Sequence, residues 1–383
     1  MSSKVFLGLP RVLWQLIFDY LPTKEAKKIC SICNFFNVNF WANRTIVNIY
    51  VNKETVKTVP YQFTFVRKIN IKRSPALTHI RFFQWLETWS VYKKLNALSI
   101  NKIGPGDLKT IEVKAPNLIK LNINIESLFN YNRKYPFQFI SEKFAHQLRS
   151  FSLCGLEAIH KKEELEMLNH KLKNCHTLTF SGRSPVIFSP LVNGMTQVKS
   201  LTLIDPDHRT ITSAAQEMPN LQELSIVRRK NKLLGSAPIV QLDQLTKLRC
   251  LTLSGFPDLS DLILDSIFES NPKLQKVFMH GCSNLTNSTI YSLVRHSPNI
   301  KEISFKDCYL LSDDIFKSLA TVCLVRMNFP ICINLSNIGI ITFCRAWKAK
   351  NPYLKYVDFS NVPNITDTGL NMLKHTCTNL INV

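Results

Sequence analysis

The sequence is poor in glycine and in acidic residues, and it has no long hydrophobic run. Glycine accounts for 11 of 383 residues, and no Gly-rich phosphate-binding loop is present. The H-E-x-x-H pattern of zinc proteases and the G-x-S-x-G pattern of esterases are also missing. No apolar run approaches the length of about 20 residues needed to span a bilayer. These absences argue against three common enzyme classes and against a membrane-spanning chain.

The side chains that could act in catalysis or metal binding form no recognisable motif in the sequence. The nine histidines are dispersed, and none pairs with a cysteine or a carboxylate in a recognisable catalytic order. Cys30 and Cys33 form a C-x-x-C pair, but a zinc site would need a second pair, and a redox motif would need a preceding strand. We therefore predict no catalytic residue, no metal site and no cofactor.

Acidic residues are outnumbered, because 27 Asp and Glu stand against 48 Lys and Arg, for a net charge of +21. So positive a surface attracts nucleic acid, anionic lipid or acidic proteins. The basic residues are scattered, however, and the densest group, at residues 228–232, lacks the interleaved aromatics of a nucleic-acid motif. A solvated basic surface is the simpler interpretation, and nucleic-acid binding is an alternative.

The cysteine content indicates a reducing compartment. The odd count of 11 argues against a complete disulfide framework. Arg11 and Asp19 interrupt the apolar N-terminal stretch, and no small-residue cleavage site follows, so we do not expect a signal peptide. The prediction is an intracellular protein, cytoplasmic or nuclear, with free thiols and no membrane association.

Residues 9–41 carry a dense apolar pattern. After Pro10, which suits the first turn of a helix, apolar residues from Leu13 onward recur at three- and four-residue steps. Pro22 ends this helix, and Thr23 is a suitable N-cap for a second one. So short a segment has little interior of its own. Part of its apolar surface must therefore pack on another domain or on a partner.

This segment resembles an F-box. It has the Leu9-Pro10 start, the Ile17-Phe18-x-x-Leu21 core, the Ile32-Cys33-x-x-Phe36 helix and a late Trp41. F-boxes dock their proteins onto the Skp-type adaptor of SCF-type cullin–RING ubiquitin ligases. The resemblance implies an F-box over residues 1–45, with a plain helical cap on the rest of the fold as the alternative. It implies these adaptor-binding residues: Leu9, Pro10, Leu13, Ile17, Phe18, Leu21, Ile32, Cys33, Phe36 and Trp41.

The rest of the chain repeats a Leu-x-x-Leu-x-Leu unit. Clear copies begin at Leu221, Leu248, Leu274, Ile300 and Leu354, and a degenerate copy begins at Leu324. Less regular copies begin at Ile46, Val66, Leu95, Leu118, Leu148, Cys175 and Val198. A single unit of this kind cannot bury its apolar side, whereas a stack of units can. Residues 124–147 fit poorly, and Glu163 to Leu172 predicts a polar helix.

Several units share a second half, such as Gly281-Cys282-Ser283-Asn284-Leu285-Thr286 followed by a helical stretch. This resembles the cysteine-containing class of leucine-rich repeat. The resemblance implies an α/β solenoid over residues 46–383, irregular over 46–197 and clear over 198–383, with a curved parallel sheet inside and helices outside. It also implies that Cys282, Cys308 and Cys332 point inward and that Thr366-Asp367 opens a helix, as an N-cap and a first-turn acid.

The residues that flank the last two apolar positions of each unit should point out of the sheet, because successive strand residues alternate faces. They make a mixed, mildly basic surface. The surface includes Ser304 and Asn328. The residues predicted to bind the target are Lys276, Phe278, His280, Glu302, Lys306, Arg326, Tyr356 and Asp358. The three cations together would favour an acidic or phosphorylated target.

Together these features predict the substrate-recognition subunit of an SCF-type ubiquitin ligase. Its partners would be a Skp-type adaptor with its cullin–RING ligase, and a protein target held by the sheet. The chemistry would belong to other subunits, and this chain would supply proximity and orientation. The alternatives are a non-catalytic interaction scaffold and a basic repeat protein that binds nucleic acid.

Overall fold

The computed structural model describes residues 46–51, 68–73, 95–100, 105–124, 141–154, 162–181, 188–206, 208–229, 237–347 and 353–381. The chain divides into two compact units, Met1–Cys175 and His176–Val383. We call them the N-terminal unit and the C-terminal unit.

The N-terminal unit contains a parallel sheet whose strands follow one another in sequence order. The strands are β1 (Ile46–Val51), β2 (Lys68–Arg73), β3 (Ala97–Ile100), β4 (Lys120–Asn124) and β5 (Ser150–Cys154). The helices are α1 (Pro105–Lys114), α2 (Glu142–Gln147) and α3 (Lys162–Lys171). The two least regular repeat copies are thus confirmed as strands β1 and β2, and the predicted polar helix is confirmed as α3.

The C-terminal unit also holds a parallel sheet in sequence order. Its strands are β6 (Thr177–Ser181), β7 (Ser200–Ile204), β8 (Glu223–Val227), β9 (Cys250–Ser254), β10 (Lys276–His280), β11 (Glu302–Lys306), β12 (Arg326–Asn328) and β13 (Tyr356–Asp358).

Helices connect most of these strands. They are α4 (Phe188–Val192), α5 (His208–Glu217), α6 (Asp261–Ser270), α7 (Asn287–His296), α8 (Ile315–Leu319), α9 (Asn337–Ala346) and α10 (Asp367–Thr376), with a 3₁₀ helix at Ala237–Gln244. Each coil therefore runs from a strand through a loop to a helix and back. The predicted degenerate copy at Leu324 is confirmed, because β12 pairs with both of its neighbours.

The core lies between the strands and the helices. Alternate strand residues are buried, as the second and fourth residues of both β9 and β10 illustrate. In the last coils the inward strand position is aromatic: the Phe329 ring stacks on Phe305 and Phe359, at centroid distances of 5.9 and 6.3 Å. Phe316 of helix α8 packs against the Phe329 ring at 6.1 Å. Such contacts join neighbouring coils through apolar surface.

Where several strands end, one residue in the left-handed region turns the chain toward the loop. Gly281, Asp307 and Ile331 hold this position with φ of 63°, 55° and 62°. The N–H of each donates to a carbonyl of the following coil, as Ile331 does to Ser360 at 2.9 Å. Glycine takes this conformation without cost, but a β-branched residue is strained in it. The turn is therefore set by the stacking of the coils rather than by residue type.

Polar side chains also link the starts of successive helices, and we call this set the helix-start ladder. In each rung an Asp or Asn binds the Ser or Thr that precedes the next helix. The rungs are Asp261 to Thr286, Asn287 to Ser312, Asp313 to Ser336 and Asn337 to Thr366.

The rungs have two chemical forms. Asp313 accepts from the Ser336 amide at 2.7 Å and also from the Ser336 hydroxyl. Asn337 accepts from the Thr366 amide at 3.1 Å and donates its own amide hydrogen to the Thr366 hydroxyl at 2.8 Å. Thr366 is confirmed as the residue before helix α10, although its side chain makes no cap bond within that helix. The Ser/Thr-Asp pattern thus has a second role, which is to join one coil to the next.

A buried asparagine fixes the far end of helix α6. Asn271 is completely buried, and its carbonyl oxygen accepts from the Leu248 amide at 2.8 Å. Its amide group donates to the carbonyl oxygens of Leu245 and Ile267, at 2.5 and 2.9 Å. The side chain therefore satisfies backbone groups of its own coil and of the preceding one, which is the condition for burying an amide without a large cost.

Candidate functional site

Strands β10 to β13 carry all eight residues predicted to bind a target, and each of them is half-buried or exposed. We call this set the exposed sheet face: Lys276, Phe278, His280, Glu302, Lys306, Arg326, Tyr356 and Asp358. It belongs entirely to the C-terminal unit. The strand register arranges its side chains in rows that run across the strands.

The first row consists of Lys276, Glu302, Arg326 and Tyr356, which are register partners on four successive strands. Lys276 Nζ lies 2.8 Å from Glu302 Oε1, and Arg326 Nη1 lies 3.8 Å from Glu302 Oε2. The guanidinium carbon of Arg326 is 4.9 Å from the centroid of the Tyr356 ring. One carboxylate is therefore shared by two cations, and one of those cations also rests on an aromatic face.

The two cations of this row are not equivalent. The hydrogen bond to Glu302 raises the pKa of Lys276, so the ammonium group is held in a direct pair with that carboxylate. The separation of 3.8 Å between Arg326 and Glu302 is longer than a hydrogen bond. The Arg326 guanidinium makes no hydrogen bond to any described residue, and its side chain is 40% exposed. Its donors thus lie beside the Tyr356 ring and remain accessible.

The second row consists of Phe278, Ser304, Asn328 and Asp358. Ser304 shares the face that the strand pattern predicts, because it is the register partner of Phe278 and Asn328, but it is only 8% exposed. Its hydroxyl lies 3.3 Å from His280 Nε2. The larger flanking side chains cover this small residue, which a strict alternation of faces does not consider.

The third row pairs His280 with Lys306. Burial lowers the pKa of His280, the positive charge of Lys306 lowers it further, and Asp307 opposes the shift. The imidazole is therefore neutral at pH 7. Lys306 is exposed and forms no ion pair with any residue in the described ranges. It is the second accessible cation of the exposed sheet face.

The loop cysteines take no part in this surface. Cys282, Cys308 and Cys332 are completely buried, which confirms the prediction that they point inward. Burial raises the pKa of Cys282 to about 12 and that of Cys332 to about 11, and it raises the pKa of Cys308 as well. The Cys332 thiol donates to the carbonyl of Phe305 at 3.1 Å. These protonated thiols are packing groups of the core.

The residues predicted to bind the adaptor, from Leu9 to Trp41, lie outside the described residues. In the described ranges, no cluster of three or more His, Cys, Asp or Glu side chains could hold a metal ion. No helix among them is long and apolar enough to cross a membrane.

Two features of the site escaped sequence reasoning. Glu302 was named as a surface residue, but its position between Lys276 and Arg326 was missed. Superposing the three repeat units would have revealed it, because Lys, Glu and Arg occupy the same position of consecutive units. The cross-coil partners of Asp261 and Asp313 also escaped notice, since the pattern within one unit explains these residues as ordinary helix-start acids.

Comparisons with known proteins agree with this architecture. No family model matches the chain. A chain of the crystal structure of the Rad7 and Elc1 complex in yeast superposes with a TM-score of 0.56 and 15% identity, covering 94% of this chain and 89% of that chain. The fold is a leucine-rich-repeat solenoid.

A chain of the TLR13–ssRNA13 complex superposes as well, with a TM-score of 0.50 and 16% identity. The match covers 85% of this chain but 50% of that chain, so the leucine-rich-repeat chain described here spans half the length of that neighbour. At these identities both likenesses show the fold alone.

Proposed function

We propose that this leucine-rich-repeat chain is the substrate-recognition subunit of an SCF-type cullin–RING ubiquitin ligase. In this proposal the F-box-like segment binds a Skp-type adaptor, and the exposed sheet face binds the target protein. The observation that carries the proposal is the order of the two parts: an ordered set of F-box positions directly precedes a repeat solenoid.

The structural neighbours support the coarser part of this role. Rad7 and Elc1 form a complex, so a chain of similar fold is known in a multi-protein assembly. A repeat solenoid offers a long row of adjacent strands on which a partner can be held. The chain itself is proposed to be non-catalytic, and its contribution to ubiquitin transfer would be to hold the target near the catalytic subunits.

A pull-down with purified Skp-type adaptor tests the proposal. The wild-type protein should retain the adaptor, and the Leu9→Ala/Pro10→Ala/Ile17→Ala variant should weaken binding by more than about thirtyfold, because large apolar anchors dominate such interfaces. A Lys27→Ala/Lys28→Ala variant in the same segment serves as the matched control and should bind normally. Circular dichroism must show that all three proteins are folded.

The outcomes separate the alternatives. A folded wild-type protein that binds no adaptor would overturn the ubiquitin-ligase proposal. Adaptor binding without recruitment of the cullin would favour a scaffold instead.

A second candidate function is nucleic-acid binding, which one observation favours, the net charge of +21. Its signature would be a steep loss of affinity between low and moderate salt, because phosphate contacts release counterions. On the exposed sheet face, however, Glu302 and Asp358 lie among the cations, which is a poor surface for a polyanion. An electrophoretic mobility shift measured at increasing salt distinguishes this function from the first.

A further inference from the structure

The accessible cations of the exposed sheet face are Arg326 and Lys306. Of the two, Arg326 is the more selective, because its N–H donors have a fixed geometry. The guanidinium carbon lies over the Tyr356 ring, 4.9 Å from its centroid, while Glu302 balances the charge from one side at 3.8 Å, which is longer than a hydrogen bond. A guanidinium held in this way presents parallel N–H groups to an incoming acceptor. A carboxylate fits this fork in a two-point contact.

The charge around Arg326 favours a single negative charge over a double one. Glu302 lies 3.8 Å away, and Asp358 is a diagonal neighbour on the adjacent strand. Lys276, which could have added positive charge, is committed to Glu302 at 2.8 Å. A phosphate carries a charge of about −1.5 to −2 and is bound best where several cations converge. Here Glu302 and Asp358 already offset much of the local positive charge, so the site accommodates the single charge of a carboxylate better than the double charge of a phosphate.

Lys306 provides a second contact at a defined distance. It lies on β11, four residues beyond Glu302, which is the register partner of Arg326. Four strand residues correspond to about 13 Å. An extended peptide spans the same distance with about three residues between two acidic side chains. The surface between the two cations contains the covered Ser304 and the half-buried Asn328, and this surface can hold uncharged side chains.

We infer that the exposed sheet face binds an extended acidic peptide segment of its target, with one Asp or Glu carboxylate on Arg326 and a second on Lys306. This inference rests on the proposed function, since it assigns the chemistry of the target to the same face. Charge complementarity supports it from the protein side, because the chain as a whole carries a net charge of +21. We assign no anchor to Lys276, because its ammonium group already pairs with Glu302 at 2.8 Å.

The test uses the full-length protein and an immobilised library of short random peptides. Wild-type protein should select peptides with two acidic residues separated by about three others. Arg326→Gln should weaken binding of the selected peptides by about 10- to 100-fold, as expected for the loss of a charge-assisted two-point contact. Lys306→Gln should weaken binding less, because a single exposed ammonium contributes less.

Lys276→Gln is the matched control. Like Arg326→Gln, it removes one positive charge from the first row. The partner that Lys276 loses, however, is Glu302 of the same chain and not a carboxylate of the peptide. Binding of the selected peptides should therefore fall by less than about threefold, because the variant removes no direct peptide contact and the freed Glu302 carboxylate acts on Arg326 only through a charge that solvent screens. Circular dichroism and thermal denaturation of each variant guard against an effect of misfolding.

Several results would overturn the inference. These are selection of neutral or basic peptides, no selection at all, an equal effect of Lys276→Gln and Arg326→Gln, or binding restricted to phosphoserine versions of the peptides. The adaptor takes no part in this measurement. Loss of adaptor binding with intact peptide selection would therefore disprove the ligase role alone, and the reverse result would disprove the acidic-peptide inference alone.

Discussion

Two regions of the C-terminal unit use the same types of polar residue in different ways. In the helix-start ladder, Asp and Asn side chains bind backbone amides and hydroxyls of the next coil. The fully buried Asn271 likewise binds backbone groups, those of its own coil and of the preceding one. On the exposed sheet face, Glu302 binds long flexible cations that are 46% and 40% exposed. The first region therefore supports stability, whereas the second leaves charged groups available for a partner.

The physical reason for this difference is solvent. A hydrogen bond to a backbone group away from water prevents the full cost of an unsatisfied amide, which is about 1–3 kcal/mol. An ion pair in water competes with hydration and with side-chain entropy, and it contributes about 0–1 kcal/mol. Mutations in the two regions should therefore separate cleanly in their effects on folding and on binding.

The largest effect is expected at Asn271. Asn271→Ala leaves one buried amide and two buried carbonyls without their partner, and it should lower the free energy of unfolding by about 3 kcal/mol. Asn220→Ala is the matched control, since the Asn220 amide also bonds a backbone carbonyl, that of Thr196, but near solvent. Urea denaturation should show a loss below about 1 kcal/mol for the control. Equal losses in the two variants would remove the distinction between buried and exposed side-chain hydrogen bonds to the backbone.

The ladder itself is tested at Asp313. Asp313→Ala removes the acceptor of the Ser336 amide and hydroxyl, and it should lower the free energy of unfolding by about 1–3 kcal/mol. Asp367 holds the same position in the last described coil, where no described residue uses its carboxylate. Asp367→Ala should therefore cost a few tenths of a kcal/mol, the helix-dipole contribution of a first-turn acid. If Asp367→Ala lowered the free energy of unfolding as much as Asp313→Ala, the bonds from Asp313 to Ser336 would contribute nothing beyond the helix-dipole effect.

The left-handed turn that follows strand β12 allows a stabilising change. Ile331 adopts a φ of 62°, so Ile331→Gly should relieve backbone strain. A gain of about 1 kcal/mol is expected if strain relief exceeds the lost side-chain contacts. Gly281→Ala provides the reciprocal test, because Gly281 has a φ of 63° and a Cβ there would meet no close atom. It should lose about 1 kcal/mol, and a melting curve of each variant decides the sign.

The smallest effect on stability is expected on the exposed sheet face. Glu302→Gln releases both Lys276 and Arg326, yet it should change the free energy of unfolding by less than about 1 kcal/mol. The same variant should strengthen binding of acidic peptides, because it removes a negative charge 3.8 Å from the Arg326 guanidinium. Isothermal titration with a selected peptide measures this gain. A large loss of stability would place Glu302 with the ladder instead.

Much of the fold could be predicted from the sequence, because repetition multiplies a weak signal. One Leu-x-x-Leu-x-Leu unit predicts little, but successive copies fix the strands, as they did even for the degenerate copy that became β12. Cys282 and its counterparts were assigned to the core for the same reason. The F-box-like segment remains a prediction from sequence, since it lies outside the described residues.

The partners of polar residues could not be predicted in this way. Asn271 is of a type that is mostly exposed, and its three partners are backbone groups that carry no sequence signal. The position of the Glu302 carboxylate between two cations depends on the register of three strands and on which cation lies closer to it. The low exposure of Ser304 could not be predicted either, because the alternation of faces does not show which neighbours cover a small side chain. The repeat pattern therefore predicts the elements of each coil but not the polar contacts between coils.

The helix-start ladder bears on how such a chain can be rearranged. Each rung has its acceptor in one coil and its amide in the next, and both Asp and Asn fill the acceptor position. Any coil that supplies one of these residues can thus precede any coil that begins its helix with Ser or Thr. At the helix starts, whole coils can therefore be inserted, deleted or shuffled without a new joint, and the apolar contacts between coils, such as those of Phe329, set the remaining requirement. This makes the coil, rather than the single residue, the natural unit of change in target preference.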